Sequence, residues 1–137
     1  MTSLFVVDAS IAMSWCFEDE TAELGERALE SLETGEAIAP EIWPLEVANA
    51  LLVAERRGRI KRIESARFVR ELRALPIRVE APPFSGRLPD LLELGRATGL
   101  SSYDASYLHL AGATELPLAT LDNKLRDSAQ SLGIPLF

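Results

Sequence analysis

Short apolar runs alternate along the chain with longer stretches of helical periodicity. Residues 4–7 form a continuous apolar run that ends at Asp8, and residues 37–39 form a second one. Runs of this length without polar interruption are typical of strands buried on both faces of a sheet. By the same criterion we predict three further strands, over residues 77–79, 116–120 and 134–137.

The segments between these runs carry the pattern of amphipathic helices. In residues 20–34, for example, Leu24, Ala28 and Leu32 recur at a spacing of four and Gly35 follows as a stop signal. We predict helices over residues 9–17, 20–34, 41–57, 60–75, 88–97, 102–113 and 123–132, and a loop over residues 81–83. Because strands alternate with helices, the sequence predicts an α/β domain around a parallel sheet.

Composition narrows the class of protein. The chain has 137 residues, of which 47% are hydrophobic and 26% charged, as in one soluble folded domain spanning residues 1–137. The only cysteine, Cys16, excludes an internal disulfide and a cysteine-rich zinc site. No apolar run approaches the roughly 18 residues of a membrane span. We therefore expect a cytoplasmic protein that does not bind membranes.

The net charge of −7 counts against a nucleic-acid binder, but the charge is unevenly distributed. Residues 1–50 carry −10 and residues 51–137 carry +3. Residues 55–78 alone contain nine bases and three acids. This basic segment fits a track for an RNA backbone as well as it fits a solvated helix face, and the sequence does not decide between them.

Two aspartates follow predicted strands. Asp8 ends the first strand, and Asp122 lies two residues after the strand predicted at 116–120. Ligands of open parallel sheets bind beyond the carboxyl ends of the strands, so both residues are candidates for a site. The alternative for each is a helix N-cap, a role that does not exclude ligand binding.

Two further acids lie in apolar helical segments. Glu46 is the only charge in residues 42–54, a segment apolar on nearly every side and therefore predicted to be buried. A lone buried carboxylate needs a cation, and the alternative to a metal is an arginine such as Arg56. Asp104 is the only acid in residues 101–113, where the alternative is a capping box with Ser101.

The four carboxylates together indicate a cation site. Carboxylates about 5 Å apart repel by roughly 3 kcal/mol per pair at an effective dielectric constant near 20, so a cluster of four needs protons or a divalent cation. Ligands that are all oxygen suit Mg²⁺ or Mn²⁺ better than zinc. Such centres hold phosphates and activate water for in-line attack.

Four segments that contain these acids resemble the PIN domain, and more closely the VapC-type ribonuclease toxins of prokaryotic toxin–antitoxin pairs. They are Phe5-Val6-Val7-Asp8-Ala9-Ser10, Pro44-Leu45-Glu46-Val47-Ala48-Asn49-Ala50-Leu51, Ser102-Tyr103-Asp104-Ala105-Ser106-Tyr107 and Ala119-Thr120-Leu121-Asp122-Asn123-Lys124-Leu125. The resemblance covers the whole chain and implies a three-layer α/β/α fold with a central five-stranded parallel sheet. It also implies a type II toxin that is a Mg²⁺-dependent endoribonuclease, with Mn²⁺ as a substitute, a cognate antitoxin and a homodimer.

The resemblance also implies the roles of particular residues. Asp8, Glu46, Asp104 and Asp122 would be the catalytic, metal-binding acids, with Asp127 as a substitute for the fourth. Polar support would come from Ser10, Thr120 and Asn49.

Two other functions stay open from the residues alone. One is a non-catalytic binding module with the same fold, and the other is a phosphoacceptor receiver domain, suggested by Thr120 and Lys124 late in the chain. The receiver requires an acidic pair after the first strand, whereas Ala9 and Ser10 follow Asp8. No side chain is a convincing nucleophile, because Cys16 and His109 both lie in apolar settings typical of core residues.

Overall fold

A computed structural model describes residues 4–80 and 84–137, so the loop predicted at 81–83 lies outside the described residues. Its centre is a parallel sheet in the order β3-β2-β1-β4. The strands are β1 (Leu4–Val7), β2 (Glu36–Pro40), β3 (Ile77–Glu80) and β4 (Leu118–Ala119). In β1, Val6 is in register with Ile38 of β2 on one side and with Leu118 of β4 on the other.

Helices connect the strands and cover the sheet. They are α1 (Ala9–Cys16), α2 (Glu23–Ser31), α3 (Ile42–Arg56), α4 (Arg62–Arg73), α5 (Phe84–Thr98), α6 (Ser102–Thr114) and α7 (Asn123–Ser131), with a 3₁₀ turn at Glu18–Glu20. Among the described residues, none of these helices is long and apolar enough to span a membrane.

The core lies on both faces of β1. Phe5, Val6 and Val7 have no exposed surface, although successive strand residues point to opposite faces of a sheet. Both faces must therefore be covered, as the continuous apolar run predicts. The α/β fold with a parallel sheet is confirmed.

The sheet has four strands rather than the five expected. At residues 134–137 the chain makes only an isolated parallel bridge between Leu136 and Leu118. Its hydrogen bonds are those from Leu118 N to Pro135 O (2.9 Å) and from Phe137 N to Leu118 O (3.0 Å). Pro117 and Pro135 have no N–H to donate, which limits the length of this ladder and of β4.

The prediction that α3 is buried on nearly every side is wrong for one face. Trp43, Val47 and Leu51 are buried, but Leu45 and Leu52 are 65% and 46% exposed. An apolar residue is buried only where another element packs against it, and no other described part of the chain covers this face. α3 therefore presents apolar surface to its surroundings.

The order of the strands brings two chain segments to one edge of the sheet. β1 and β4 are neighbours, and Asp8 N donates to Ala119 O (3.2 Å) just beyond their paired residues. The residues that follow both strands therefore meet at the carboxyl edge, where ligands of such sheets bind.

Candidate active site

Asp8 occupies the centre of this edge and is 5% exposed. Its Oδ1 accepts hydrogen bonds from Ser10 Oγ (2.6 Å) and from Ile11 N (3.2 Å), so it caps α1 as the alternative interpretation allows. Its Oδ2 accepts a hydrogen bond from the hydroxyl of Thr120. Both carboxylate oxygens are thus held in place.

The two hydroxyls that bind Asp8 also bind the segment after β4. Ser10 Oγ accepts from Leu121 N (2.9 Å), and Thr120 Oγ1 accepts from Asp122 N (3.0 Å). Each hydroxyl therefore connects the Asp8 carboxylate to the backbone that carries Asp122. This is the polar support that the resemblance implies for Ser10 and Thr120.

Asp122 caps α7, as its alternative interpretation predicts. Its Oδ1 accepts from Lys124 N (2.9 Å) and Leu125 N (3.2 Å), while the residue stays exposed. One turn later, Arg126 Nη1 donates to Thr120 O (3.0 Å) and fixes the same segment from the helix side. The cap leaves Asp122 Oδ2 with no hydrogen bond among the described residues.

Glu46 lies in the first turns of α3 and is half-buried. Its Oε1 accepts a 2.5 Å hydrogen bond from the hydroxyl of Tyr107, a residue of α6 that is 1% exposed. The arginine partner considered for Glu46 is not found, because none of the ion pairs among the described residues includes it. The sequence places Tyr107 three residues after Asp104 on one helix face, which was the only available signal of its position.

Asp104 lies in the first turn of α6 and is partly buried. Its backbone N donates to Ser101 Oγ (3.2 Å), so Ser101 is the N-cap and Asp104 holds the third helical position. This is half of the capping box that the sequence suggests. The Ser101 cap therefore holds the backbone of Asp104 in place at the start of α6.

Burial and repulsion raise the pKa values of the first two acids. Burial raises the pKa of Asp8 from 3.8 to about 6, against the hydrogen bonds from Ser10 and Thr120, and the charge of Glu46 raises it further. Burial also raises the pKa of Glu46, against the Tyr107 hydrogen bond, and the charge of Asp104 adds to the rise.

The third acid continues this series. Burial raises the pKa of Asp104, the charge of Asp122 raises it further, and the Ser101 hydroxyl opposes both. The charged form of Asp8 is thus destabilised by Glu46, that of Glu46 by Asp104, and that of Asp104 by Asp122. Asp8, Glu46, Asp104 and Asp122 form one electrostatically connected group at the carboxyl edge, which we call the acidic group.

The donor atoms of the acidic group fit a hard divalent cation. All are carboxylate oxygens, and the pKa values of Asp8, Glu46 and Asp104 are raised by burial first and by a neighbouring acid second, so a bound cation would stabilise their charged forms. However, in residues 4–80 and 84–137 no three acidic, histidine or cysteine side chains already converge tightly enough to hold an ion. An ion held by three or more of these side chains therefore requires the carboxylates to move toward one another.

The other candidate residues lie outside the acidic group. Asp127 is exposed on α7, and it is Asp122 whose charge raises the pKa of Asp104. Asn49 is exposed on α3. His109 Nε2 lies 3.2 Å from Asp90 Oδ2, as expected of a hydrogen-bonded structural histidine, and burial raises the pKa of Cys16, which disfavours its thiolate.

Two of the nine bases in residues 55–78 are neutralised by acids. Arg59 Nη2 pairs with Asp19 (2.9 Å) and Glu20 (3.2 Å), and its guanidinium lies 4.3 Å from the ring centre of Phe17. Arg78 Nε pairs with Glu80 at 2.9 Å. These two arginines therefore have structural partners, whereas the exposed arginines of α4 leave both interpretations of the segment open.

The chain is similar to known proteins over most of its length. The sequence pattern of the PIN domain matches residues 5–130, a range that contains the whole acidic group. Ribonuclease VapC3 from Pyrobaculum aerophilum is 30% identical over 130 residues, covering 95% of this chain and 98% of that protein. Ribonuclease VapC9 from Mycobacterium tuberculosis is 31% identical over 129 residues, 93% of each chain.

A solved structure supports the same relationship. The crystal structure of PAE2754 from Pyrobaculum aerophilum superimposes with a TM-score of 0.69 and 25% sequence identity, covering 93% of this chain and 81% of that one. These matches favour the PIN interpretation over the receiver domain.

Proposed function

Because the chain belongs to the PIN-domain family, we propose that it is a Mg²⁺-dependent endoribonuclease and the toxin of a toxin–antitoxin pair. The observation that carries the proposal is the acidic group, which brings carboxylates from four separate elements within electrostatic reach of one another. Burial raises the pKa values of Asp8, Glu46 and Asp104, and the charges of Glu46, Asp104 and Asp122, respectively, raise them further. The ribonuclease names of its relatives support RNA as the substrate.

The chain's own residues supply the framework for this chemistry. Ser10 and Thr120 hold both oxygens of Asp8, and Tyr107 donates to Glu46. These donors favour the charged carboxylates that cation binding requires. Asp104 and Asp122 stand at the starts of α6 and α7, close enough for the charge of Asp122 to raise the pKa of Asp104. A bound Mg²⁺ would neutralise the scissile phosphate and activate the attacking water.

The test is cleavage of total RNA by purified protein with Mg²⁺, with EDTA, and with Mg²⁺ restored. We expect cleavage only with the cation, and a loss of more than about 100-fold in Asp8→Asn and Asp104→Asn, beyond the 10- to 100-fold typical when a ligand loses a hydrogen-bond partner. Asp127→Asn is the matched control, since this exposed acid of α7 lies outside the acidic group. Cleavage that survives EDTA and both substitutions would refute the metal-dependent mechanism.

The main alternative is a non-catalytic module that keeps the PIN fold. It predicts RNA binding without cleavage at any cation concentration, in protein whose circular dichroism is that of a folded chain. Because the two functions differ only in turnover, the same experiment separates them.

The antitoxin is the partner we propose for an apolar groove between α3, α4 and β3. The groove encloses about 430 Å³ and is lined by Val47, Leu51, Val69, Leu72 and Ile77, among others. Such a groove suits the apolar face of a helix from a partner protein. Growth arrest on expression, relieved by an antitoxin encoded next to this gene, would support the toxin role.

Exposed Leu88 and Leu92, one turn apart on α5, favour a homodimer through another surface.

A further inference from the structure

A separate cavity opens beside the acidic group. It encloses about 360 Å³ where the starts of α3 and α6 meet α5. Its principal walls are Ile42, Leu45, Leu91, Tyr103 and the Arg87–Glu41 ion pair. We call it the Tyr103 cavity.

The Tyr103 cavity and the acidic group share two helix starts. Leu45 directly precedes Glu46 on α3, and Tyr103 directly precedes Asp104 on α6. The side chains of consecutive helix residues are rotated by about 100° about the helix axis, so each pair leaves the helix at nearly the same level but in different directions. The lining of the Tyr103 cavity and the acidic group are therefore adjacent along both α3 and α6.

The apolar surface of the cavity is available to a ligand. Tyr103 is 61% exposed and Leu45 is 65% exposed, although both are large hydrophobic side chains. The backbone that carries the Tyr103 ring is held firmly, because Ser106 Oγ donates to Tyr103 O (2.6 Å) and Ser101 caps the helix. The result is an accessible aromatic face on a rigid support, which is the surface that unstacked bases use.

The polar part of the cavity suits the edge of a base better than a phosphate. Arg87 is mostly buried and pairs with the carboxylate of Glu41, so its positive charge is already compensated. The pair still presents N–H donors and carboxylate acceptors side by side. Bases offer the complementary donors and acceptors on their edges, whereas a phosphate offers only acceptors and negative charge.

We propose that the Tyr103 cavity binds one unpaired nucleobase of the RNA, next to the phosphate that is cleaved. The Tyr103 ring stacks on the base, Leu45 and Ile42 cover its apolar surface, and the Arg87–Glu41 pair meets its edge. This inference rests on the proposed ribonuclease activity and adds to it a subsite for one base, which must be unpaired in order to enter.

The test measures kcat and KM for single-stranded RNA. Tyr103→Leu removes the aromatic face and keeps an apolar side chain, so we expect KM to rise about 5- to 100-fold, the range of one lost base–aromatic stack, with kcat nearly unchanged. Tyr103→Phe keeps the aromatic face, so its KM should stay well below that of Tyr103→Leu. Ile63→Ala is the matched control, because Ile63 is 71% exposed on α4 and is not part of the cavity.

A second readout is the sequence around the cleaved bonds, mapped on total RNA. Wild type should show a base preference at one position beside the cut, and Glu41→Gln should change that preference without abolishing cleavage. Equal KM values and equal preferences in wild type and Tyr103→Leu would overturn the inference while leaving the ribonuclease proposal standing. No cleavage by folded wild type would instead refute that proposal, and the inference with it.

A second copy of the chain is the other occupant that this cavity could accept. Sedimentation of wild type and Tyr103→Leu distinguishes the two. An unchanged mass with raised KM supports base binding, whereas a fall in mass with Tyr103→Leu overturns it in favour of an interface between copies.

Discussion

The hydroxyl of Tyr107 donates a 2.5 Å hydrogen bond to Oε1 of Glu46, which joins α6 to the second acid of the acidic group. Tyr107 is buried and Glu46 only half-buried, so the tyrosine is the better-fixed member of the pair. The bond lowers the pKa of Glu46, against the effects of burial and of Asp104. Tyr107 therefore positions Glu46 and favours its charged form.

Removing this hydroxyl should weaken cation binding. In Tyr107→Phe the ring still fills its place, but Glu46 loses its donor, and we expect Mn²⁺ affinity to fall by about 10- to 100-fold. Isothermal titration of chelator-treated protein measures the affinity directly. Tyr103→Phe is the control, since it removes a hydroxyl one turn earlier on the same helix and should leave Mn²⁺ affinity unchanged. Equal affinities of wild type and Tyr107→Phe would show that Tyr107 has no positioning role.

Substitutions of Glu46 should separate a metal ligand from a structural ion-pair partner. Glu46→Gln removes repulsion from Asp104 and still offers Tyr107 an acceptor, so the free energy of unfolding without metal should stay within about 0.5 kcal/mol of wild type or rise. Glu46→Ala leaves the buried Tyr107 hydroxyl without its acceptor and should cost about 1–3 kcal/mol. Urea unfolding in EDTA measures both. A loss in Glu46→Gln as large as that in Glu46→Ala would mean that the charge itself stabilises the fold.

Much of this arrangement could be predicted from local patterns. The apolar run that ends at Asp8 predicts a strand buried on both faces, and the observed β1 has these bounds and is buried except at Leu4. The Asp8 and Asp122 caps follow from the preference of helix starts for aspartate. These features depend on residues that are close together in the sequence, and local patterns of this kind are what one sequence predicts best.

Contacts between residues far apart in the sequence could not be predicted. Tyr107 and Glu46 are 61 positions apart, and an arginine was as reasonable a partner for Glu46 as a tyrosine. The exposed face of α3 was predicted as buried for a related reason, since apolar periodicity does not reveal whether the covering element belongs to the same chain. The fifth strand was overpredicted because apolar residues at 134–137 resemble a strand, while Pro135 limits its pairing.

Stability without metal should fall as Asp8 ionises. Its pKa is about 6 in the folded protein and about 3.8 when unfolded, so the folded state binds the proton more tightly. The stabilisation is complete below pH 3.8 and disappears as pH rises through 6, a change of about 3 kcal/mol for a shift of this size.

Chelator-treated Asp8→Asn isolates this contribution, because asparagine does not titrate. The difference in unfolding free energy between wild type and Asp8→Asn should change by about 2.5 kcal/mol between pH 4 and pH 7.5, with wild type losing more as pH rises. Urea unfolding across this range provides the measurement. Parallel curves for the two proteins would contradict a raised pKa at Asp8.

Thr120→Val should damage both the fold and the acidic group. Thr120 has no exposed surface, and its hydroxyl donates to Asp8 while it accepts from Asp122 N. Valine keeps the shape but leaves one Asp8 oxygen and the partly buried Asp122 N–H without partners, so we expect a loss of about 1–3 kcal/mol in unfolding free energy at pH 7.5. Cleavage should fall by about 10- to 100-fold. Thr114→Val is the control, because Thr114 Oγ1 only donates to a carbonyl one turn earlier in α6. If both valine variants lost the same stability and neither lost activity, Thr120 would be an ordinary core residue with no part in orienting Asp8.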